Sequence, residues 1–181
     1  MQVPSTAHEA ASETEARTVP FTVIGIGNNL MTDDGAGVYV VEQLLDAQRT
    51  GSLDAEQVRL LDGGTLSFTL LDEIEQADHL IIVDAAELHA DPGTVQAFHD
   101  AEMDAYLSDA VRPSVHEVNL LDVLTAARLR GTMPRRYSLI GIQPDTIEWG
   151  TEPSDAVRPA IEQARDLIIA LIDAGLPGGH A

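Results

Sequence analysis

Apolar, partly β-branched runs alternate with helical stripes of apolar residues along the first half of the chain. The runs cover residues 21–26, 58–61 and 79–83, and apolar residues repeat at helical spacing within residues 38–45 and 66–74. Runs that are apolar at consecutive positions are typical of strands buried on both faces. A strand-helix-strand-helix-strand order requires right-handed crossovers between parallel strands. The sequence therefore predicts a mostly parallel sheet.

Two more strands and two more helices are predicted in the second half. The strands are expected at 94–98 and 137–142, each next to a Pro-containing turn, and the helical stripes span residues 120–129 and 157–172. Pro153 and Ser154 mark the expected start of the last helix. The expected fold is a single-domain α/β three-layer sandwich, with a mostly parallel, twisted sheet of five strands and helices on both faces.

The two ends of the chain are expected to lie outside this domain. Residues 1–19 are rich in Ala, Glu, Ser and Thr and contain no apolar run, so they match neither a signal peptide nor a membrane span. We expect a disordered leader over residues 1–19, a single folded domain over 20–175 and a flexible tail over 176–181. No apolar stretch approaches the roughly 20 residues that cross a bilayer.

Charge and cysteine content restrict the possible partners. The 30 acidic and 10 basic residues give a formal charge of −20. Nucleic acids and anionic membranes would be repelled, so neither is an expected partner. The absence of cysteine removes disulfides, thiolate metal ligands and cysteine nucleophiles. A cytoplasmic monomer is the expected form of the protein.

A glycine-rich loop joins the first strand to the first helix. Residues 24–37 read IGIGNNLMTDDGAG and carry Asp33 and Asp34 but no basic side chain. The loop is therefore expected to bind a cation rather than a phosphate. One of the two carboxylates is expected to cap the helix that follows. Because consecutive acids cannot both cap, we assign the cap to Asp33 and predict that Asp34 is available to a ligand.

Two other predicted strands also end in aspartate. Asp62 precedes Gly63-Gly64-Thr65, and Asp84 follows the most apolar strand. Ligands of open α/β sheets bind beyond the carboxyl ends of strands, where the strand order reverses. Asp62 is expected to accept hydrogen bonds from the amides of its own turn. Asp84 is therefore the better candidate for a ligand.

His116 differs from the other five histidines because it immediately precedes the predicted third helix on a segment that returns across the sheet. A lone histidine is more often a surface or capping residue than a ligand, so the residue pattern leaves its role open. Together with Asp34 and Asp84 it would form a mixed oxygen and nitrogen site. Such a site suits nickel, zinc or another divalent ion.

Several common catalytic motifs are missing. GIGNNL at 25–30 lacks the third glycine of a dinucleotide fingerprint, and no glycine-lysine phosphate loop occurs. The chain also contains no Gly-x-Ser-x-Gly nucleophile elbow and no His-Glu-x-x-His helix. Serine hydrolases and zincins are therefore disfavoured.

Five segments follow one another along the chain: GIGN at 25–28 with DDGAG at 33–37, DGGT at 62–65, HLIIVDA at 79–85, SVHE at 114–117 and LIGIQP at 139–144. Together they resemble motifs of the hydrogenase maturation endopeptidases, which trim the large subunit of nickel-iron hydrogenases. The resemblance covers roughly residues 21–175. It implies that Asp34, Asp84 and His116 bind a metal ion and that Asp62 is not a ligand.

Two details of the resemblance concern particular positions. Some members of the family carry glutamate where this chain has the shorter Asp34, although aspartate also occurs there. The loop Asp62-Gly63-Gly64-Thr65 has been associated in such proteins with the choice of partner, and the resemblance implies the same role for these residues here.

The resemblance also implies an activity. The enzyme would remove the C-terminal extension of a hydrogenase large-subunit precursor after nickel insertion, using that nickel as the recognition signal. Asp34 would act as a metal ligand, as a catalytic base, or as both, and zinc or cadmium would be able to replace nickel in vitro. Two alternatives are a non-catalytic nickel-binding assembly factor and a small-molecule metallohydrolase with a tightly held metal.

Overall fold

The computed structural model describes residues 20–65, 68–109 and 115–175. The predicted leader and tail, together with Leu66 and Ser114 of the predicted patterns, lie outside these residues.

The sheet has five strands in the order β2-β1-β3-β5-β4. Four strands are parallel, and β4 runs antiparallel to β5 at one edge. The predicted α/β class and the mostly parallel five-stranded sheet are thereby confirmed. The strands are β1 (Phe21–Ile26), β2 (Val58–Gly64), β3 (His79–Ala85), β4 (Val95–His99) and β5 (Arg136–Ile142).

Five α-helices are described, and they depart from the prediction in four places. The helix at 101–109 is not among the predicted elements, and the second helix is only five residues long. The helix predicted to follow His116 begins at Val115, and the last begins at Arg158 rather than at Ser154 because residues 155–157 form a turn. The helices are α1 (Ala36–Arg49), α2 (Leu71–Glu75), α3 (Ala101–Asp109), α4 (Val115–Arg130) and α5 (Arg158–Gly175).

The helices cover both faces of the sheet. Neighbouring strand residues such as Val23 and Ile24 are both fully buried but belong to different core clusters. Val23 packs in the cluster formed with α1 and α5, and Ile24 in the cluster formed with α2, α3 and α4. Burial on two faces explains why the strands are apolar at consecutive positions. Within the described ranges, no helix combines the length and apolarity needed to cross a membrane.

The strand order reverses between β1 and β3. From β1 the chain crosses to β2 on one side, and from β2 it crosses back to β3 on the other side of β1. The carboxyl ends of β1 and β3 therefore border a crevice, which is where open α/β sheets bind ligands.

Glycines allow α1 to begin directly against this crevice. A Cβ atom on Gly37 would lie 2.2 Å from the carbonyl oxygen of Val83, and one on Gly27 would lie 1.9 Å from that of Asp34. Gly27 also has a φ of +138°, a conformation that other residues rarely adopt. The glycine-rich loop is therefore held close to the end of β3.

Candidate active site at the switch point of the sheet

Asp34 lies in a single 3-10 turn, Thr32–Gly35, between β1 and α1. Its Oδ2 accepts a hydrogen bond of 3.1 Å from the backbone amide of Asn28, which fixes the carboxylate over the glycine-rich loop. The side chain is 19% exposed. Asp34 is thus placed where a ligand entering the crevice can reach it.

Asp84 is the penultimate residue of β3, one position inside the strand rather than just beyond it. The strand is two residues longer than predicted because Asp84 and Ala85 pair with β5 at Gly141 and Ile142. The Asp84 side chain is only 2% exposed. An ionised carboxylate at such a depth needs a charged or hydrogen-bonding partner.

His116 lies inside the first turn of α4, and the expectation that it precedes the helix is wrong by this small margin. Its side chain is 9% exposed, and the ring lies between the two carboxylates. Nδ1 is 3.4 Å from Asp84 Oδ1, and Nε2 is 3.8 Å from Asp34 Oδ2. The structure therefore brings together the three residues singled out from the sequence, from three separate elements.

The donor set is suited to a divalent ion. Two carboxylates and one imidazole supply oxygen and nitrogen ligands, and metal bonds of about 2.1 Å place neighbouring donors roughly 3.0–3.5 Å apart. The two separations across His116 fall close to this range. However, a different ring nitrogen faces each carboxylate, so one ion held by all three residues requires the ring or a carboxylate to turn. In keeping with this, the described part of the chain contains no cluster of three His, Asp or Glu side chains already arranged around an ion position.

Asp33 has a role that differs from the predicted helix cap. Neither the 3-10 turn nor α1 has a side-chain cap, so the assignment of a cap to Asp33 is wrong. Its fully buried carboxylate instead accepts hydrogen bonds from three backbone amides and one hydroxyl of the loop between β5 and α5. The donors are Asp145 N (3.0 Å), Thr146 N (2.9 Å), Ser154 N (2.7 Å) and Ser154 Oγ (2.8 Å).

Sequence reasoning missed this partner loop. The donors lie 112–121 residues away from Asp33, and no local pattern connects positions so far apart. The one available signal is the adjacency of two acids, since only one can face the ligand site and the other must be satisfied elsewhere. Asp33 thus has a structural role, whereas Asp34 faces the crevice.

The loop Asp62-Gly63-Gly64-Thr65 lies beside the site but outside the Asp34, Asp84 and His116 group. The exposed Asp62 accepts a 2.8 Å hydrogen bond from the amide of Gly64, as predicted for a turn-ordering aspartate. Asp62, Gly64 and Thr65 line a cleft together with Asn28, whose amide binds Asp34. Asn119 of α4 also donates to the carbonyl of Thr65 over 3.3 Å. The loop is therefore connected to both sides of the site.

Comparisons with known proteins agree with one another. The sequence profile of the hydrogenase maturation protease family, HycI, matches residues 38–171. The hydrogenase 2 maturation protease of Escherichia coli K12 is 36% identical over 151 residues, covering 83% of this chain and 88% of the relative. The hydrogenase expression/formation protein HupD of Rhodobacter capsulatus is 39% identical over 148 residues, covering 82% and 67%.

Solved structures show the same likeness. The hydrogenase maturating endopeptidase HybD from E. coli superposes with a TM-score of 0.75 at 33% identity, covering 86% of this chain and 93% of that one. The hydrogenase maturation protease HybD from Thermococcus kodakarensis superposes with a TM-score of 0.72 at 27% identity, covering 84% and 99%.

The fold and the site define an α/β protein with an Asp-Asp-His group at the switch point of its sheet. The matching family profile, the E. coli relative and both solved structures are those of proteases, so proteins with this fold and sequence hydrolyse peptide bonds. The chain belongs to the hydrogenase maturation protease family, and its activity is that of an endopeptidase in hydrogenase maturation.

Proposed function

We propose that this endopeptidase removes the C-terminal extension of a nickel-iron hydrogenase large-subunit precursor, and that nickel already inserted in the precursor is its recognition signal. The nickel arrives with the substrate, and Asp34, Asp84 and His116 complete its coordination. The observation that carries this proposal is the placement of the His116 imidazole within 4 Å of both carboxylates. A mixed oxygen and nitrogen group with room for outside ligands suits an ion that is shared with a substrate.

The three side chains differ in their access to solvent, and this supports different roles. Asp84 and His116 are 2% and 9% exposed, whereas Asp34 is 19% exposed. Asp34 is therefore the group best placed to meet the scissile peptide. Acting as a base, it accepts a proton from the attacking water, and the water oxygen adds to the carbonyl carbon. The substrate-borne cation stabilises the oxyanion of the tetrahedral intermediate formed by this addition. The oxyanion then collapses to the carbonyl as the C–N bond breaks, and the proton passes to the leaving amine.

The loop Asp62-Gly63-Gly64-Thr65 is proposed to take part in the choice of hydrogenase. It lines a cleft with Asn28, so a substrate segment lying in that cleft contacts the residue whose amide holds the Asp34 carboxylate. This role makes use of the exposed surface of the loop and requires no metal contact.

The test mixes the purified protein with nickel-loaded and nickel-free precursor and follows intact mass. We expect loss of a short C-terminal peptide from the loaded form alone. An uncut loaded precursor, or equal cutting of both forms, contradicts the proposal. Metal analysis of the purified protein gives a second readout, because a resident metal at one equivalent would instead support the small-molecule metallohydrolase. Binding of the precursor without cleavage would support the assembly factor.

The site residues are tested with Asp34→Asn, Asp84→Asn and His116→Ala. Each is expected to lower the cleavage rate by about 10²-fold or more, the usual contribution of a catalytic acid or base. Asp173→Asn, at an exposed position on α5, is the matched control and should cut at the wild-type rate. Circular dichroism establishes that each variant is folded. Wild-type activity in any of the three variants removes that residue from the site.

A further inference from the structure

Three exposed apolar side chains lie on two loops that are hydrogen-bonded to each other beside the turn that carries Asp34, and they are defined here as the Trp149 ridge: Leu30, Ile147 and Trp149. They are 51%, 54% and 82% exposed. Among the described residues only two other large apolar side chains are comparably exposed, Phe68 and Leu129. Exposed apolar residues that occur singly are ordinary, but a group beside a site indicates an interaction surface.

The ridge is exposed although its two loops are tightly held. The backbone of Gly150 donates to Leu30 over 3.0 Å and accepts from Thr32 over 2.9 Å. The Thr32 hydroxyl donates to the Thr146 carbonyl over 2.8 Å and accepts from the amide of Glu148 over 3.1 Å. The buried carboxylate of Asp33 accepts hydrogen bonds from both ends of the loop that carries Trp149, at Asp145 and at Ser154. An aromatic side chain presented on such a fixed backbone loses little further backbone entropy on binding.

The loops that carry the ridge are also joined to the candidate active site through the backbone. Leu30 follows Asn28 by two residues, and the amide of Asn28 binds the Asp34 carboxylate. Thr32 and Asp33, which hold the loop that carries Trp149, directly precede Asp34 in the same 3-10 turn. Any folded protein that delivers a peptide to Asp34 therefore passes close to this surface.

The charge around the ridge indicates the chemistry of its partner. Residues 144–158 contain four exposed acids and one basic residue, Arg158, which pairs with Asp155 over 3.6 Å. The acids are Asp145, Glu148, Glu152 and Asp155. An apolar centre inside an acidic rim is complementary to an apolar patch flanked by lysine or arginine.

We propose that the Trp149 ridge is the docking surface for the body of the hydrogenase precursor, at an apolar patch with a basic border. This inference rests on the proposed function, since it takes the precursor as the substrate. The ridge contributes binding, and Trp149, a residue type enriched among interface hot spots, is its main anchor. Docking there places the extension of the precursor over Asp34.

The test is the steady-state cleavage of nickel-loaded precursor by Trp149→Ala and by the double variant Ile147→Ser with Trp149→Ala. We expect KM to rise roughly 10- to 30-fold, as for loss of a hot-spot residue, while kcat stays within about threefold. Trp149→Phe should recover most of the affinity. Leu129→Ser, which changes a side chain that is 85% exposed near the end of α4, is the matched control and should retain the wild-type KM.

The charged rim is tested in the same assay with Glu148→Lys and Glu152→Lys. Both are expected to raise KM at low salt and to reduce its dependence on ionic strength. A wild-type KM in the Trp149 variants overturns the docking surface while leaving the proposed function intact. A wild-type enzyme that leaves the loaded precursor uncut overturns the proposed function itself, so the two failures are distinguished.

Discussion

Asp33 and Asp34 are neighbours in one turn, but their different hydrogen-bond partners give them different roles. Asp33 is buried and accepts four hydrogen bonds from the loop between β5 and α5. Asp34 accepts one from Asn28 and faces His116 across 3.8 Å. The buried neighbour therefore sets the position of the turn, and the turn sets the position of the carboxylate at the site. Asp33 is a positioning residue for Asp34.

The positioning role predicts the behaviour of Asp33→Asn. An amide cannot accept at both ends, so at least one donor of the loop would face an NH₂ group. We expect the free energy of unfolding to fall by about 1.5–3 kcal/mol, the usual range for a hydrogen bond to a charged group. The measurement is urea denaturation. Cleavage should also slow because the turn that carries Asp34 is released.

Ser154→Ala is the control for this variant. It removes the hydroxyl, which donates to Asp33 and accepts from the Val157 amide, but it keeps the three amide donors to the carboxylate, so its loss should lie at the lower end of that range, about 1.5 kcal/mol. Equal losses in the two variants would mean that the hydroxyl alone accounts for the stabilisation. A fully stable Asp33→Asn protein would contradict the structural role of the carboxylate.

At the scale of single residues, the sequence is informative where a side chain is placed by its own strand or helix. Asp34, Asp84 and His116 each lie near the end of an element, and parallel topology brings those ends together. The role of Asp33 is not predictable because its donors come from a loop more than 100 residues away. Ile147 and Trp149 escape prediction for a similar reason, since exposure in a loop leaves no periodic pattern.

At the scale of elements, the contact between α1 and the sheet determines the geometry of the site. The backbone of Gly37 lies against Ile26 of β1 and Val83 of β3, directly before Asp84. No side chain separates the first turn of α1 from the two strands. The Asp34 turn and the end of β3 are consequently held at a separation that the His116 ring can span.

This close contact predicts a clear effect of Gly37→Ala. The new Cβ would lie 2.2 Å from the Val83 carbonyl oxygen and 2.4 Å from that of Ile26, so α1 must move away. Overpacking of this kind costs about 1–3 kcal/mol, and we expect that loss in urea denaturation together with slower cleavage. Gly51→Ala is the control. Gly51 has a φ of +78°, but a Cβ atom there would meet no atom of the described residues within 4 Å, so only a conformational cost of roughly 1 kcal/mol and normal cleavage are expected.

The elements themselves are largely predictable, because strands buried on two faces are apolar throughout and α1 and α5 have clear stripes. The second helix is shorter than its pattern suggests, since its apolar residues continue through a 3-10 turn at Phe68–Leu70. The helix at 101–109 escapes notice because it is short and weakly amphipathic. Similarly, the antiparallel direction of β4 depends on its pairing with β5, which its own residues do not specify.

At the scale of the whole molecule, the dominant property is a formal charge of −20. Such a charge disfavours nucleic acid and anionic membranes and favours a partner that presents basic residues. The exposed acids Asp145, Glu148 and Glu152, on the loop that carries Trp149, are one local part of this charge. The same charge also has a cost, because the compact state holds like charges closer together than the unfolded chain does.

The whole-molecule charge predicts that salt stabilises the fold. Raising NaCl from 0.01 M to 1 M shortens the Debye length from about 30 Å to about 3 Å and screens this repulsion. We expect the Tm in calorimetry to rise by roughly 3–8 °C, equivalent to about 1–2 kcal/mol for a domain of this size. The matched variant combines Glu162→Lys and Asp173→Lys at exposed positions of α5. In 0.01 M NaCl this variant should have a higher Tm than the wild type, and its Tm should rise less when salt is added. If the Tm of both proteins is independent of salt, the surplus charge does not limit stability.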